Sequence, residues 1–169
     1  KYPSLSNANW FPWIQKQLII HGILVQTPEM SVSNKPDYND WKKVFEQFSI
    51  SEDTILVGHS CGGGFLIRWL SENKQHVTKL ILVSPWIDPS RRITASFFDF
   101  FIDPEIQNRV EKIDLFFSLD DPVEGVKESV ETIKAGLPKI ESHIFTNMGH
   151  FSFEEMKTEK FPELLEVIL

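Results

Sequence analysis

The sequence has one cysteine, few positive charges and no long apolar run, and each shortage excludes a class of protein. A single cysteine, Cys61, can form neither an internal disulfide nor a zinc site made of several thiolates, so a reducing compartment is expected and the cytoplasm is the predicted location. The 24 acidic residues outnumber the 17 basic ones, and the net charge of -7 disfavours nucleic-acid or anionic-lipid partners. No apolar stretch approaches the roughly 20 residues that a membrane span needs, and residues 1–13 contain no hydrophobic signal core.

The composition that remains is that of a globular domain. The 169 residues are 41% hydrophobic and 12% aromatic, which is enough to bury a sizeable core. The chain has no internal repeat, low-complexity tract or long linker. A single domain over residues 1–169 is therefore predicted.

Two hydrophobic periods alternate along the chain. Apolar residues at i, i+3, i+4 and i+7 predict a helix within residues 37–48, and residues 123–133 repeat the pattern before Gly136 and Pro138. Strands that alternate with helices favour right-handed crossovers, so the predicted fold class is α/β, a three-layer sandwich with a mostly parallel central sheet and helices on both faces. The short apolar runs that predict the strands are 23–26, 54–58, 79–84, 114–118 and 142–146.

A glycine-rich turn follows the second predicted strand. Gly58, Ser60 and Gly62 fit the pattern G-x-S-x-G, in which a strand turns so sharply into a helix that a Cβ at either flanking position would collide with backbone. Residues 65–74 read as the helix, so the Ser60 hydroxyl would lie at the positive end of the helix dipole. Ligands of parallel sheets bind at this carboxyl end of the strands. Ser60 is therefore the predicted nucleophile.

Other interpretations of this turn fit less well. The glycines could form only a tight turn, and Gly58 and Gly63 also have the spacing of a phosphate-binding loop. That loop continues with Lys and then Ser or Thr, whereas Gly64 and Phe65 follow here. Cys61 lies one place beyond the centre of the turn, so its predicted role is to donate its backbone N–H to an oxyanion.

An activated serine needs a base, and in enzymes with this turn the order along the chain is Ser, then Asp or Glu, then His. His76 lies in a polar connection, and His143 falls within a predicted strand, where a structural role is expected. His150 follows the last predicted strand, and Gly149 beside it allows a loop to bend over the strand ends. His150 is the predicted base.

The acid that orients this base should follow a strand between Ser60 and His150. Asp120 and Asp121 both follow residues 114–118. Asp121 precedes Pro122 and also fits the N-cap of a helix. The residues alone do not decide whether Asp120 or Asp121 is the acid.

Four motifs, in order, resemble the small serine hydrolases related to retinoblastoma-binding protein 9, a compact branch of the α/β-hydrolase superfamily with no large lid. They are NWFPW, GHSCGG, SLDDP and GHF, and the likeness extends over nearly the whole chain. In that family the acid is the aspartate directly before the proline, which implies Asp121, with Asp120 as the second choice. Ser60 and His150 match the family's nucleophile and base. The resemblance implies a serine hydrolase of the carboxylesterase type, acting on a small ester or similar acyl bond.

One departure from that family concerns the N-terminus. The relatives begin with a central strand that ends in a His-Gly loop, and the loop helps to form the oxyanion hole. No such strand precedes Trp10, and the pair His21 and Gly22 reads as the end of a helix over residues 11–20. A further strand is therefore expected before or close to Lys1, with a loop that gives the second oxyanion donor.

The substrate pocket is the last prediction. Residues 84–104 are rich in aromatic side chains, and Trp86, nearest the strand end, is the predicted substrate-binding residue. A helix core explains the other aromatics at least as well. The predicted reaction uses no cofactor or metal, and its partner is a small ester or acyl substrate. The alternative is a protein-binding module that keeps the fold with little catalysis, although the sequence indicates no protein partner.

Overall fold

A parallel sheet forms the centre of the protein in this computed structural model, which describes residues 4–30, 36–91 and 96–169. Within those residues the sheet has four strands in the spatial order β1-β2-β3-β4, and every neighbouring pair is parallel. The strands are β1 (Ile55–His59), β2 (Val77–Val83), β3 (Val110–Ser118) and β4 (Glu141–Phe145).

Helices connect and cover the strands. Asp37 is the N-cap of the helix that begins at Tyr38, because its side chain accepts the Asp40 N–H at 3.0 Å. A short 3-10 helix at Leu5–Asn7 precedes the others. The α-helices are α1 (Phe11–Ile20), α2 (Tyr38–Phe45), α3 (Cys61–Asn73), α4 (Ile106–Arg109), α5 (Val126–Gly136), α6 (Phe153–Met156) and α7 (Pro162–Ile168).

Strand β2 shows how the sheet separates two cores. Leu80 and Leu82 pack into a core with α2, α3 and α5, whereas Ile81 and Val83 pack into a second core with α1 and α7. All four side chains are fully buried. Because successive side chains of a strand point to opposite faces, this continuous apolar run requires helices on both sides. The predicted three-layer α/β fold is confirmed.

The predicted strand at residues 23–26 is wrong. Ile23 ends the turn after α1, its N–H donating to the Leu18 carbonyl at 3.0 Å, and residues 23–30 pair with no described strand. Ile23 and Val25 pack against the core beside α1, whereas Leu24 is 87% exposed. Two side chains of this apolar run therefore pack on one side of a segment that has no regular secondary structure, and the run is not a buried strand. Gly22, at φ +77°, ends α1 as predicted.

Other predicted elements are present with shifted ends. The helix predicted within residues 37–48 is α2, which begins at Tyr38 and ends three residues before Phe48. The helix predicted from residue 123 begins at Val126, because residues 123–125 form a bend and a turn. Strands β2 and β3 begin before their predicted first residues, at Val77 and Val110.

The outer edge of β1 bears on the expected N-terminal strand. Among the described residues β1 pairs only with β2, and Val57 at its middle is 38% exposed. Residues 1–3 lie outside the described part, so a strand before or close to Lys1 stays a prediction.

In the described ranges no helix is long and apolar enough to cross a membrane.

Candidate active site

Ser60 lies at the carboxyl end of β1, in a turn of residues 58–64 that we call the nucleophile turn. Its backbone has φ +53° and ψ -123°, a conformation that is strained for a residue with a side chain. The Ser60 N–H donates to the Val83 carbonyl at 3.0 Å, and the Ser60 carbonyl accepts the Trp86 N–H at 3.0 Å. The neighbouring strand end therefore holds both peptide groups of the serine.

The glycines of the nucleophile turn differ in what they permit. A Cβ on Gly58 would lie 2.7 Å from the Gly62 carbonyl oxygen and from backbone atoms of Gly63, so the predicted collision holds at this position. The same prediction is wrong for Gly62, where a Cβ would meet nothing within 4 Å. At Gly64 a Cβ would collide with the Trp86 carbonyl. The close approach of α3 to its neighbours therefore depends on Gly58 and Gly64.

The structure brings Ser60, His150 and Asp121 together in one hydrogen-bonded series. Ser60 Oγ lies 2.9 Å from His150 Nε2, and His150 Nδ1 lies 2.9 Å from Asp121 Oδ2. The Asp121 side chain is fully buried and that of His150 is 14% exposed. A buried carboxylate favours the tautomer in which Nδ1–H donates to it, which leaves Nε2 free to accept the serine proton.

The two aspartates after β3 have separate positions. Asp121 Oδ2 also accepts the Ser84 hydroxyl at 2.8 Å, and its Oδ1 accepts the Val123 N–H at 2.9 Å. Asp121 therefore stabilises a turn, but it does not cap α5, whose N-cap is Gly125. Ser84 belongs to this arrangement and was missed in the sequence, where it is only a polar residue at a strand end.

Asp120 is exposed and does not touch His150. Its Oδ1 accepts the Ser118 hydroxyl and, at 3.1 Å, the Gly149 N–H. The hydrogen bond from Ser118 is the main cause that lowers the pKa of the Asp120 carboxyl, and the Gly149 N–H adds to it. Asp120 thus tethers the loop of residues 146–152, which we call the histidine loop.

Cys61 begins α3, half-buried beside Ser60. Its backbone N–H is at the first helical position, where no intrahelical acceptor exists, as the predicted oxyanion role requires. Burial is the main cause that raises the pKa of its thiol, which disfavours the thiolate that a cysteine nucleophile needs. The thiol is therefore a poor candidate for the nucleophile, and attack by the Ser60 hydroxyl stays a prediction.

Trp86 lies behind the nucleophile turn and is 9% exposed. Its indole N–H donates to the Glu124 carbonyl at 2.9 Å, and its ring meets the Phe98 ring edge-on. Contact of Trp86 with a substrate stays a prediction. A separate cleft of about 320 Å³ lies on the α5 side, between Phe98 and Gly136, and neither Trp86 nor Ser60 lines it.

The remaining histidines after Ser60 lie away from it. His76 is exposed in the connection between α3 and β2. His143 stacks on Phe116 in the sheet, and its Nε2 donates to Asp114 at 2.7 Å, which is the structural role expected for it.

A second polar cluster on β3 and β4 has ligand types suited to a metal. Donor atoms of Asp114, Glu141 and His143 lie within 4.8 Å of one another. The Lys112 ammonium, however, lies 3.3 Å from Asp114 and 3.2 Å from Glu141. The pKa of Lys112 is raised, mainly by its hydrogen bond to Glu141, so the lysine stays charged. Lys112 therefore already supplies the positive charge that a metal ion would bring.

Comparison with known families agrees with this geometry. A family model described as serine hydrolase matches residues 2–163. The chain belongs to the serine hydrolase family. The narrower resemblance to the proteins related to retinoblastoma-binding protein 9 is not tested by this match and stays a prediction.

A relative from Bacillus subtilis matches about half of this chain. YdeN of strain 168, named as a candidate hydrolase, is 31% identical over 87 residues, which are 49% of this chain and 46% of YdeN. That match spans less than half of the relative's length.

Solved structures show the fold over more of the chain. The crystal structure of the ydeN gene product gives a TM-score of 0.83 at 22% identity and covers 99% of this serine hydrolase and 92% of that chain. The structure of carboxylesterase CesB (YbfK), also from Bacillus subtilis, gives a TM-score of 0.50 at 17% identity and covers 78% and 64%. The fold of this chain is therefore that of the α/β hydrolases.

Proposed function

We propose that this serine hydrolase cleaves a small carboxylic ester, or a similar acyl bond, through an acyl-enzyme on Ser60. The observation that carries the proposal is the series from Ser60 through His150 to Asp121, with both N···O distances at 2.9 Å. A base that contacts a serine hydroxyl and is oriented by a buried carboxylate activates the serine for attack on a carbonyl carbon. A protein-binding module has no chemical need for this arrangement, which favours the enzyme.

Acylation uses the series in order. Ser60 Oγ attacks the substrate carbonyl carbon while its proton passes to His150 Nε2, and the Asp121 carboxylate stabilises the imidazolium that forms. The oxygen that becomes negative accepts the Cys61 N–H, which lies at the positive end of α3. His150 then gives its proton to the leaving alcohol as the tetrahedral intermediate collapses to the acyl-enzyme.

Deacylation repeats these steps with water. His150 takes a proton from a water molecule, whose oxygen attacks the acyl carbon, and then returns the proton to Ser60 Oγ as the carboxylic acid leaves. The proposed mechanism uses no metal or cofactor. A second oxyanion donor from the loop predicted near Lys1, and contact of Trp86 with the acyl or alcohol group, are further parts of the proposal.

A fluorophosphonate probe tests the nucleophile without knowledge of the natural substrate. The native protein should gain one probe adduct, located on Ser60 by peptide mass, and should hydrolyse p-nitrophenyl acetate. Ser60→Ala should abolish both. The matched control Ser51→Ala removes an exposed hydroxyl and should change neither. Cys61→Ala should keep most activity, because its donor is a backbone group.

Two results would contradict the proposal. Undiminished labelling of Ser60→Ala would place the reactive group elsewhere. A folded native protein that takes up no probe would favour the binding module instead.

A further inference from the structure

The backbone of His150 is held by a side chain at each of its two peptide groups. The His150 N–H donates to Glu155 Oε2 at 2.6 Å. The His150 carbonyl lies 2.7 Å from His59 Nε2, so this nitrogen carries the proton and donates. His59 immediately precedes Ser60 in the nucleophile turn. The contact therefore joins the strand that carries the nucleophile to the loop that carries the base.

The histidine loop has a backbone that needs such support. Gly149 and Phe151, on either side of His150, both have φ +54°. Phe151 has a side chain, which makes this left-handed conformation unfavourable, and it is fully buried. The His150 carbonyl belongs to the peptide that leads into Phe151. A hydrogen bond to that carbonyl opposes the rotation by which the strain at Phe151 would relax.

The surroundings of His59 keep it a neutral donor. Burial is the main cause that lowers the pKa of its imidazole to about 4, and the nearby His150 contributes. The rings of Trp10 and Phe11 meet the His59 ring edge-on, at centroid distances of 6.0 and 6.2 Å. Near neutral pH His59 therefore places no second positive charge beside the His150 imidazolium.

We propose that His59 is a positioning residue for the reaction at Ser60: by donating Nε2–H to the His150 carbonyl it fixes the histidine loop so that the His150 ring meets both Ser60 and Asp121. This inference rests on the proposed function of those three residues. It adds to the G-x-S-x-G motif a reason for the histidine at its second position. A displacement of about 1 Å in a reacting group can lower a rate about 100-fold, so a loosened loop has a measurable effect.

The test compares two polar replacements of His59 whose side-chain amides differ in length. The Gln amide nitrogen can occupy nearly the place of Nε2, whereas the Asn amide is one bond shorter and cannot reach the carbonyl. With p-nitrophenyl acetate, His59→Asn should lower kcat by about 10- to 100-fold with KM within about 2-fold, and His59→Gln should recover most of kcat. His76→Asn makes the same replacement at an exposed histidine and should match the native enzyme. The NMR signal of the His150 Nδ1 proton should broaden in His59→Asn and be retained in His59→Gln.

Each of the other outcomes contradicts either the positioning role of His59 or the proposed function. If native protein labels at Ser60 and His59→Asn keeps the native kcat, the positioning role is wrong and the proposed function stands. If His59→Asn and His59→Gln lose kcat and melting temperature equally, His59 serves only folding and the inference fails. If the native protein does not take up the probe, the proposed function itself fails. If the NMR signal of the His150 Nδ1 proton stays narrow in His59→Asn, the positioning role of His59 is wrong.

Discussion

The nucleophile turn and the histidine loop present the two reacting side chains, but different forces hold them. In the nucleophile turn the contacts are between backbone atoms: the close approach that leaves no space for a Cβ on Gly58, and the hydrogen bonds that join the Ser60 peptide groups to Val83 and Trp86. In the histidine loop the contacts come from side chains elsewhere, because Asp120, His59 and Glu155 each bind one peptide group of residues 149–150. The first region depends on close backbone packing and backbone hydrogen bonds, and the second on several hydrogen bonds from side chains.

This difference predicts how each region fails. A steric constraint is violated by one added methyl group, because close-packed backbone cannot move aside without wider changes. A hydrogen bond typically contributes about 0.5 to 1.5 kcal/mol, so the loss of one among several leaves the loop partly held. The nucleophile turn should therefore respond sharply to small changes, and the histidine loop in steps.

The largest expected effect comes from Asp121, which orients the ring that the histidine loop presents. Asp121→Asn keeps the size of the side chain but no longer favours the tautomer with a proton on Nδ1. The value of kcat for an aryl ester should fall by about 10⁴-fold, as expected when the imidazole has the wrong tautomer. Steady-state kinetics with a parallel thermal melt measures this loss apart from folding. A smaller loss than that of Asp120→Asn would transfer the role to Asp120.

The next effect separates two glycines of the nucleophile turn. Gly58→Ala places a Cβ 2.7 Å from backbone, so the free energy of unfolding should fall by about 1 to 3 kcal/mol or more and activity should be lost. Gly62→Ala is the matched control, since its Cβ meets nothing within 4 Å, and it should fold and label with the probe. Urea unfolding followed by tryptophan fluorescence measures both variants. Equal stability of the two would show that steric exclusion does not hold this turn.

The smallest effect concerns the Asp120 tether of the histidine loop. Asp120→Asn should lower kcat by about 10-fold or less, because His59 and Glu155 still hold the loop. The Asp120 pKa is lowered in the folded state, so the unfolded chain binds more protons. The stability that this carboxylate contributes is therefore present above the unfolded value of about 3.9 and is lost as the pH falls through the lower folded value.

Melting temperatures of native protein and Asp120→Asn measure this dependence. The melting temperature of the native protein should exceed that of Asp120→Asn most near neutral pH, and this difference should shrink as the pH falls below about 4. A difference that stays constant with pH would mean that the charge of Asp120 does not support the loop.

Much of the candidate site could be predicted because its signals are local. The G-x-S-x-G pattern after an apolar run located Ser60, and the position of His150 after the last strand separated it from His76 and His143. The choice between Asp120 and Asp121 needed the resemblance to a known family, since both follow the same strand. Which carboxylate faces the imidazole is set by the path of the chain after Ser118, and neighbouring residue types do not encode that path.

The residues that hold the site were missed for the same reason. His59 and Ser84 are polar residues at strand ends, and nothing in their sequence neighbourhood indicates that one binds the His150 carbonyl and the other Asp121. Both contacts cross from one strand end to another. The segment at residues 23–26 was misread because a short, β-branched apolar run has the same composition whether it forms a buried strand or packs one side of an irregular segment against the core.

The sequence by itself determined the α/β class, the order of most strands and helices, and the turn at Ser60. These follow from hydrophobic period and from steric limits on glycine-rich backbone, which act over a few residues. Only the tertiary structure decided that Asp121 faces His150, that Asp120 tethers the histidine loop, and that Lys112 forms ion pairs with both Asp114 and Glu141. These contacts depend on which strand ends become neighbours, and that depends on the packing of the whole sheet between its two layers of helices.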